Sequence, residues 1–211
     1  MPKITGLILF GESVVAGRGV KDRSLSFGRL LRVKLPIPVL IKGKSYITSQ
    51  DALNRLDKAV LRKHKIYSHV LVFIGNNDVR PVGFMKPKFT VEEFMKNVHE
   101  IIRRIQDCGK TVIMCNLQPL DDEDIYRIHP SVSKYVKPPI TPSFLHKQYS
   151  DACSKIAQEA GVFFIDIRSE LEKMKEKGIK VIADYCLDPN SLGHQTIAEK
   201  IITDLKAYNF I

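Results

Sequence analysis

Short apolar runs alternate along the chain with segments whose apolar residues recur every three or four positions. Residues 4–10 form a continuous apolar run closed by Gly11, the pattern of a strand buried on both faces. Residues 39–41, 70–74, 111–117 and 162–167 repeat that pattern. Between them lie helical segments. Residues 26–34 place Phe27, Leu30, Leu31 and Val33 inward, and residues 49–62 carry Leu53, Leu56 and Val60 at helical spacing. Thr90 with Glu93 three residues on is a capping-box signal, followed by the stripe Phe94, Val98, Ile101, Ile102 and Ile105. Helices are also predicted over 143–160, 169–177 and 191–207. Residues 118–142, rich in Pro, Asp and Tyr, read as a long functional loop.

Strands alternating with helices predict βαβ units, and so a parallel sheet covered on both faces. Five strands fit a flavodoxin-like order, 2-1-3-4-5, in a three-layer α/β fold spanning 1–211 as a single domain. In such sheets ligands bind at the carboxyl ends of the strands.

Composition narrows the class. The chain has 211 residues, 44% hydrophobic and 27% charged, enough to bury a core without disulfides or metals. Its apolar content excludes intrinsic disorder. No run approaches about 18 apolar residues, so no membrane span is expected. The first residues lack the pattern of a secretory signal, which gives cytoplasmic as the expected location. Cys108, Cys115, Cys153 and Cys186 are too far apart for CxxC pairs, and no His/Cys/Asp cluster has metal-ligand spacing. No cofactor is expected, because the glycines of 11–19 lack the signature of a nucleotide loop. A net charge of +10 suits acidic partners, but the basic residues are scattered over every helix, and nucleic acid is not the expected partner.

The chemistry concentrates after strands one and three. Gly11-Glu12-Ser13 puts a serine on a tight turn at a strand end, with free backbone N–H groups after it. Gly75-Asn76-Asn77-Asp78 puts an amide donor on the neighbouring strand end. In register, the two make a nucleophile and an oxyanion donor.

These blocks resemble the GDSL or SGNH hydrolases, a family of lipases, esterases and acylhydrolases, and the resemblance covers nearly the whole chain. Residues 7–19 are similar to the block that carries the nucleophile, matched by Ser13, with Glu12 where Asp is usual. Residues 43–56 are similar to the second block, and 74–80 to the third, where Asn77 matches the oxyanion-hole Asn. Residues 193–199, Gly-His-Gln-Thr-Ile-Ala-Glu, resemble the segment after the last block. The resemblance implies a serine ester hydrolase in which the Ser13 N–H, the Tyr46 N–H and the Asn77 side chain form the oxyanion hole.

Two signature residues differ. Asp188 stands where the family's catalytic His does, with Tyr185 at the place of the orienting Asp, and Tyr46 replaces the second-block Gly. A serine hydroxyl is a weak nucleophile until a base takes its proton. A carboxylate of pKa about 3.9 is a poor base unless burial raises it. Loss of a triad His costs on the order of 10⁶ in turnover. The replacements open here are Asp188, His194 and the loop-side His129 or His146, each with a plain structural alternative: a helix-entry turn for Asp188, surface positions for His129 and His146. Glu12 is expected to hydrogen-bond across its turn and Asp78 to fix Asn77. Arg18 and Arg80, near the mouth, are candidates for binding an anionic part of the substrate, and Tyr126, Tyr135, Pro138 and Pro139 for a substrate lid. The reading is a small-molecule ester hydrolase using Ser13; the alternative is a catalytically impaired protein of this fold that binds a ligand or a protein.

Overall fold

The computed structural model describes residues 3–63, 65–136, 138–185 and 187–211. Its frame is a parallel sheet of β1 (Leu7–Gly11), β2 (Val39–Gly43), β3 (His69–Phe73), β6 (Thr111–Cys115) and β7 (Phe163–Ile165), in the order β2-β1-β3-β6-β7. This is the flavodoxin-like order predicted. Every residue of β1 and β3 is buried, as expected of strands covered on both faces. Helices α1 (Phe27–Lys34), α6 (Ile167–Glu176) and α7 (Ser191–Ala207) pack together as one layer. Helices α2 (Ser49–Leu56), α3 (Val91–Asp107) and α5 (Pro142–Glu159) form the other.

Local chemistry explains the helix starts. Thr90 and Glu93 make both hydrogen bonds of the capping box at α3. Thr48 and Asp51 do the same at α2, and Asn190 caps α7 by accepting from the Gly193 N–H. Three departures from the sequence pattern stand out. The second helix is regular only to Leu56, then widens into a π turn at Asp57–Leu61. The stretch 118–142 is not a bare loop: it holds α4 (Asp122–Ile128), capped by Asp121, and a tight 3₁₀ turn at Pro130–Lys134. Only Ile125 of α4 is buried, so no apolar stripe announces that helix. A small antiparallel hairpin, β4 (Pro81–Gly83) with β5 (Lys86–Pro87), was also not expected.

The register sets up the site. Gly11 pairs with Gly43 of β2 and Phe73 of β3, so three adjacent strands end level. A Cβ on Gly11 would lie 1.9 Å from the Phe73 carbonyl oxygen, so only glycine lets β1 end so close to β3. The turns at 12–18, 44–48 and 74–78 therefore emerge side by side.

Candidate active site

Ser13 starts the coiled turn after β1. The Ser13 carbonyl accepts from the Arg18 N–H at 3.0 Å and the Glu12 carbonyl from the Ala16 N–H at 2.9 Å. As at any helical start, the first N–H groups are left over. Among the described residues the Ser13 hydroxyl, the Ser13 N–H and the Tyr46 N–H make no hydrogen bond. Ser13 is nearly buried and lines the main cavity.

Glu12 reaches from this turn to the next. Its carboxyl accepts from the N–H of Gly75 at 2.9 Å, the N–H of Asn76 at 2.6 Å and the side-chain amide of Asn77. One amide hydrogen of Asn77 is thereby fixed, which leaves the second to point elsewhere. Full burial and the charge of Asp78 push the Glu12 carboxyl up to about 8, against the pull of those donors. Glu12 thus makes the cross-turn contacts expected of it. Asp78 does something different from fixing Asn77: it accepts from the N–H and hydroxyl of Ser49, tying the 75–78 turn to the start of α2.

Tyr46 has φ of 65°, the left-handed region that favours glycine. The backbone demand that suits a glycine persists here although the side chain has changed. That side chain is exposed and its hydroxyl accepts from Arg18, whose guanidinium carbon lies 4.6 Å from the Tyr46 ring centre and 5.7 Å from that of Tyr185. The Arg18 Nε is 3.6 Å from Asp188 Oδ2, and the Tyr185 hydroxyl donates to the same oxygen at 3.1 Å. Burial raises the Asp188 pKa above the ordinary carboxylate value, while Tyr185 and Arg18 pull it down. The backbone supports this cluster: Gly19 has φ of 97°, and a Cβ there would sit 1.8 Å from the Pro189 carbonyl oxygen. The turn after Ser13 and the segment bearing Asp188 are packed directly together.

These groups share one cavity of about 560 Å³, within the range of small-molecule sites. Ser13, Arg18, Tyr46, Asn77 and Asp188 form its polar end, with Arg80 on the rim. Leu120, Ile125, Val132, Val136, Leu145 and Leu187 supply an apolar wall, most of it from α4, the turn after it and the start of α5. Of the lid candidates Tyr135 lines this wall. Tyr126 instead bonds within the segment, its hydroxyl donating to the Val136 carbonyl at 3.3 Å, and neither Pro138 nor Pro139 reaches the cavity.

The histidines separate clearly. His194 is not at the cavity. Its Nδ1 accepts from the Phe27 N–H at 3.2 Å, its Nε2 donates to the Arg18 carbonyl at 2.7 Å, and its ring stacks on Phe27. With both nitrogens engaged and burial driving its pKa down to about 4, His194 holds the Ser13–Arg18 turn in place and is not placed as a base. His146 is buried rather than on the surface. Its Nε2 lies 2.7 Å from Asn76 Oδ1, its Nδ1 has no partner among the described residues, and desolvation lowers its pKa to about 3. His129 lies on the cavity wall with Nε2 donating to the Tyr185 carbonyl at 3.1 Å. Tyr185 meets Asp188 from the place of the family's orienting Asp, whereas the contact of Asn76 with His146 was not foreseen; its one signal was a second Asn beside Asn77.

Cys108, Cys115 and Cys153 are free thiols, and Cys186 and His64 lie outside the described residues. Among the described residues no group of His, Cys, Asp and Glu is placed to hold a metal ion, and no helix is long and apolar enough to cross a membrane.

Comparison with known proteins adds a family and a set of folds. The sequence model of the GDSL-like lipase/acylhydrolase family matches residues 9–196. GDSL esterase/lipase CPRD49 of Arabidopsis thaliana is 26% identical over 175 residues, 79% of this chain and 66% of the relative. The chain thus spans just under two thirds of that relative. The lipase/acylhydrolase from Enterococcus faecalis superposes with a TM-score of 0.72 at 20% identity, covering 99% of this chain and 97% of that one. An acetyl-xylooligosaccharide esterase from Geobacillus Stearmophilus, solved as a mutant, gives 0.74 at 20% identity, covering 97% and 95%. At that identity the structural likeness is one of fold.

Proposed function

The chain belongs to the GDSL-like lipase/acylhydrolase family, and from this we propose that it hydrolyses small carboxylic esters with Ser13 as nucleophile. The observation that carries the reading is the convergence at one cavity of an unpartnered Ser13 hydroxyl and N–H, the unpartnered Tyr46 N–H and the pre-aimed Asn77 amide. That is a nucleophile with its oxyanion donors. In this reading the Ser13 Oγ attacks the ester carbonyl carbon and its proton passes to Asp188. The carbonyl oxygen becomes an oxyanion held by Ser13 N–H, Tyr46 N–H and Asn77. The tetrahedral species collapses, the ester C–O bond breaks, and Asp188 returns the proton to the leaving alcohol. Water then attacks the acyl-Ser13 ester by the same route, with Asp188 again taking and returning a proton.

Asp188 suits the part of base better than an exposed carboxylate does, because burial raises its pKa toward the working pH. In this reading Tyr185 orients it, and Arg18 and Arg80 meet an anionic group of the substrate. The apolar wall beyond Asn77 suits an acyl chain longer than acetyl.

One observation favours a second reading, a ligand-binding protein on this fold. Arg18 already contacts Asp188 and Tyr46, so the polar groups beside Ser13 satisfy one another. Nitrophenyl esters from acetate to decanoate distinguish the two. Turnover at least about 100-fold above a Ser13→Ala variant supports the hydrolase; equal rates in both proteins leave the binding reading.

A further inference from the structure

Between the turn that carries Asn77 and helix α3 the chain reads Arg80-Pro81-Val82-Gly83-Phe84-Met85-Lys86-Pro87-Lys88, cationic and apolar without one acid. This is the β4–β5 hairpin. Val82 is 57% and Phe84 67% exposed. Arg80, Lys86 and Lys88 are exposed too, and none forms an ion pair or side-chain hydrogen bond among the described residues. The acids closest to them are accounted for. Asp51, which feels the charge of Lys88, is held by its capping box at α2, and Glu93 turns back to accept from the Thr90 N–H. Of the others nearby in sequence, Asp78 accepts from Ser49 and Glu92 lies in the first turn of α3.

The hairpin is fastened to the cavity rim. Arg80 and Pro81 line the cavity, and the Met85 N–H donates at 2.8 Å to the carbonyl of Tyr135, another lining residue. Tyr135, Tyr46 and Leu187, which line the cavity, are exposed apolar residues as well. Scattered exposed apolar residues are ordinary, but a group rimming one opening marks an interaction surface.

We propose that this hairpin seats the cavity mouth on an anionic lipid surface, with Val82 and Phe84 entering the headgroup boundary and Lys86 and Lys88 meeting lipid phosphates. Charge complementarity selects the occupant. A polyanion without an apolar phase takes the cations but gains nothing from Val82 and Phe84, whereas a lipid surface takes both. The proposal stands apart from the catalytic reading, because it concerns binding and needs no active Ser13.

The test is co-sedimentation of the protein with phosphatidylglycerol–phosphatidylcholine vesicles, with pure phosphatidylcholine vesicles in parallel. Binding is expected to the anionic vesicles and to weaken with added salt. Lys86→Gln with Lys88→Gln is expected to lower the partition coefficient about 25-fold, at about fivefold per cation. Val82→Ser with Phe84→Ser is expected to lower it about tenfold or more. The lysine pair changes only exposed side chains and keeps the test decisive if the apolar pair folds poorly; thermal unfolding identifies that case. The proposal is overturned by no binding, by equal binding to neutral vesicles, or by variants that bind like the parent. Salt-sensitive binding to duplex DNA that matches the vesicle affinity and ignores Val82→Ser/Phe84→Ser also overturns it, in favour of a nucleic-acid surface.

Discussion

In the proposed reaction Asp188 is the base, and its surroundings predict its behaviour. Burial raises its pKa; the Tyr185 hydroxyl and the Arg18 guanidinium lower it. The rate of ester turnover is therefore expected to rise with pH along a limb lying above the ordinary carboxylate range, as this carboxyl loses its proton. Tyr185→Phe removes a donor that favours the charged form and is expected to move that limb upward. Asp188→Asn is expected to lower kcat by about 10² to 10⁴, the usual worth of a general base. Steady-state rates from pH 4 to 9 check both. His194→Ala makes the contrast. Its cost belongs to folding, about 1–3 kcal/mol for the unpaired Phe27 N–H and Arg18 carbonyl it leaves, with the shape of the pH–rate profile unchanged. The placement of Ser13 and Asn77 side by side at the strand ends was legible in the sequence because each sits in a short block whose spacing is local. The burial of His146 and the double engagement of His194 were not, because they depend on partners 70 and 167 residues away.

At the scale of elements, the cavity depth is set by α4 and the turn that follows it. Val132 and Ile125 stand on the apolar wall. Val132→Trp fills part of that space and is expected to spare acetyl ester turnover while cutting kcat/KM for octanoyl esters at least about tenfold. Equal losses on both esters contradict an acyl role for this wall. Helices with a long stripe and a cap, such as α3 and α7, were readable with nearly their observed ends, since capping and periodicity agree there. Helix α4 was not. Its seven residues bury only Ile125 and owe their form to the Asp121 cap, a cluster of acids at the start and Arg127 at the end. The β4–β5 hairpin was missed for a related reason: two strands of three and two residues carry no alternation to read.

For the whole molecule, buried titratable groups predict how stability follows pH. His69, His146 and His194 have pKa values near 4, 3 and 4 when folded, below the ordinary 6.5. The unfolded chain binds protons there that the folded chain does not, so these groups make stability rise with pH up to about 6.5. Glu12, at about 8 when folded against 4.5 otherwise, acts oppositely. It lowers stability as pH climbs from about 4.5 to 8, and Asp78, raised to about 6, adds to this over the lower part of that range. Below pH 6 the three histidines outweigh Glu12 and Asp78, with Asp188, also raised by burial, on the carboxyls' side, and above 6.5 Glu12 dominates. Denaturant midpoints are expected to rise from pH 4 to about 6.5 and then decline to pH 8, with Glu12→Gln removing the decline. A curve still rising above pH 7 contradicts this ledger. The five-strand parallel order was legible because apolar runs and helical stripes alternate without a break. What reaches the cavity from residues 118–146 was not, since it follows from how that segment packs over the sheet.

The central claim is that Ser13 is an activated nucleophile, and the most direct measurement is intact-protein mass after exposure to a fluorophosphonate. The account predicts one added phosphonyl group on the unaltered protein and none on Ser13→Ala, with Asp188→Asn labelled far more slowly. No adduct on the unaltered protein, or the same adduct on Ser13→Ala, contradicts it.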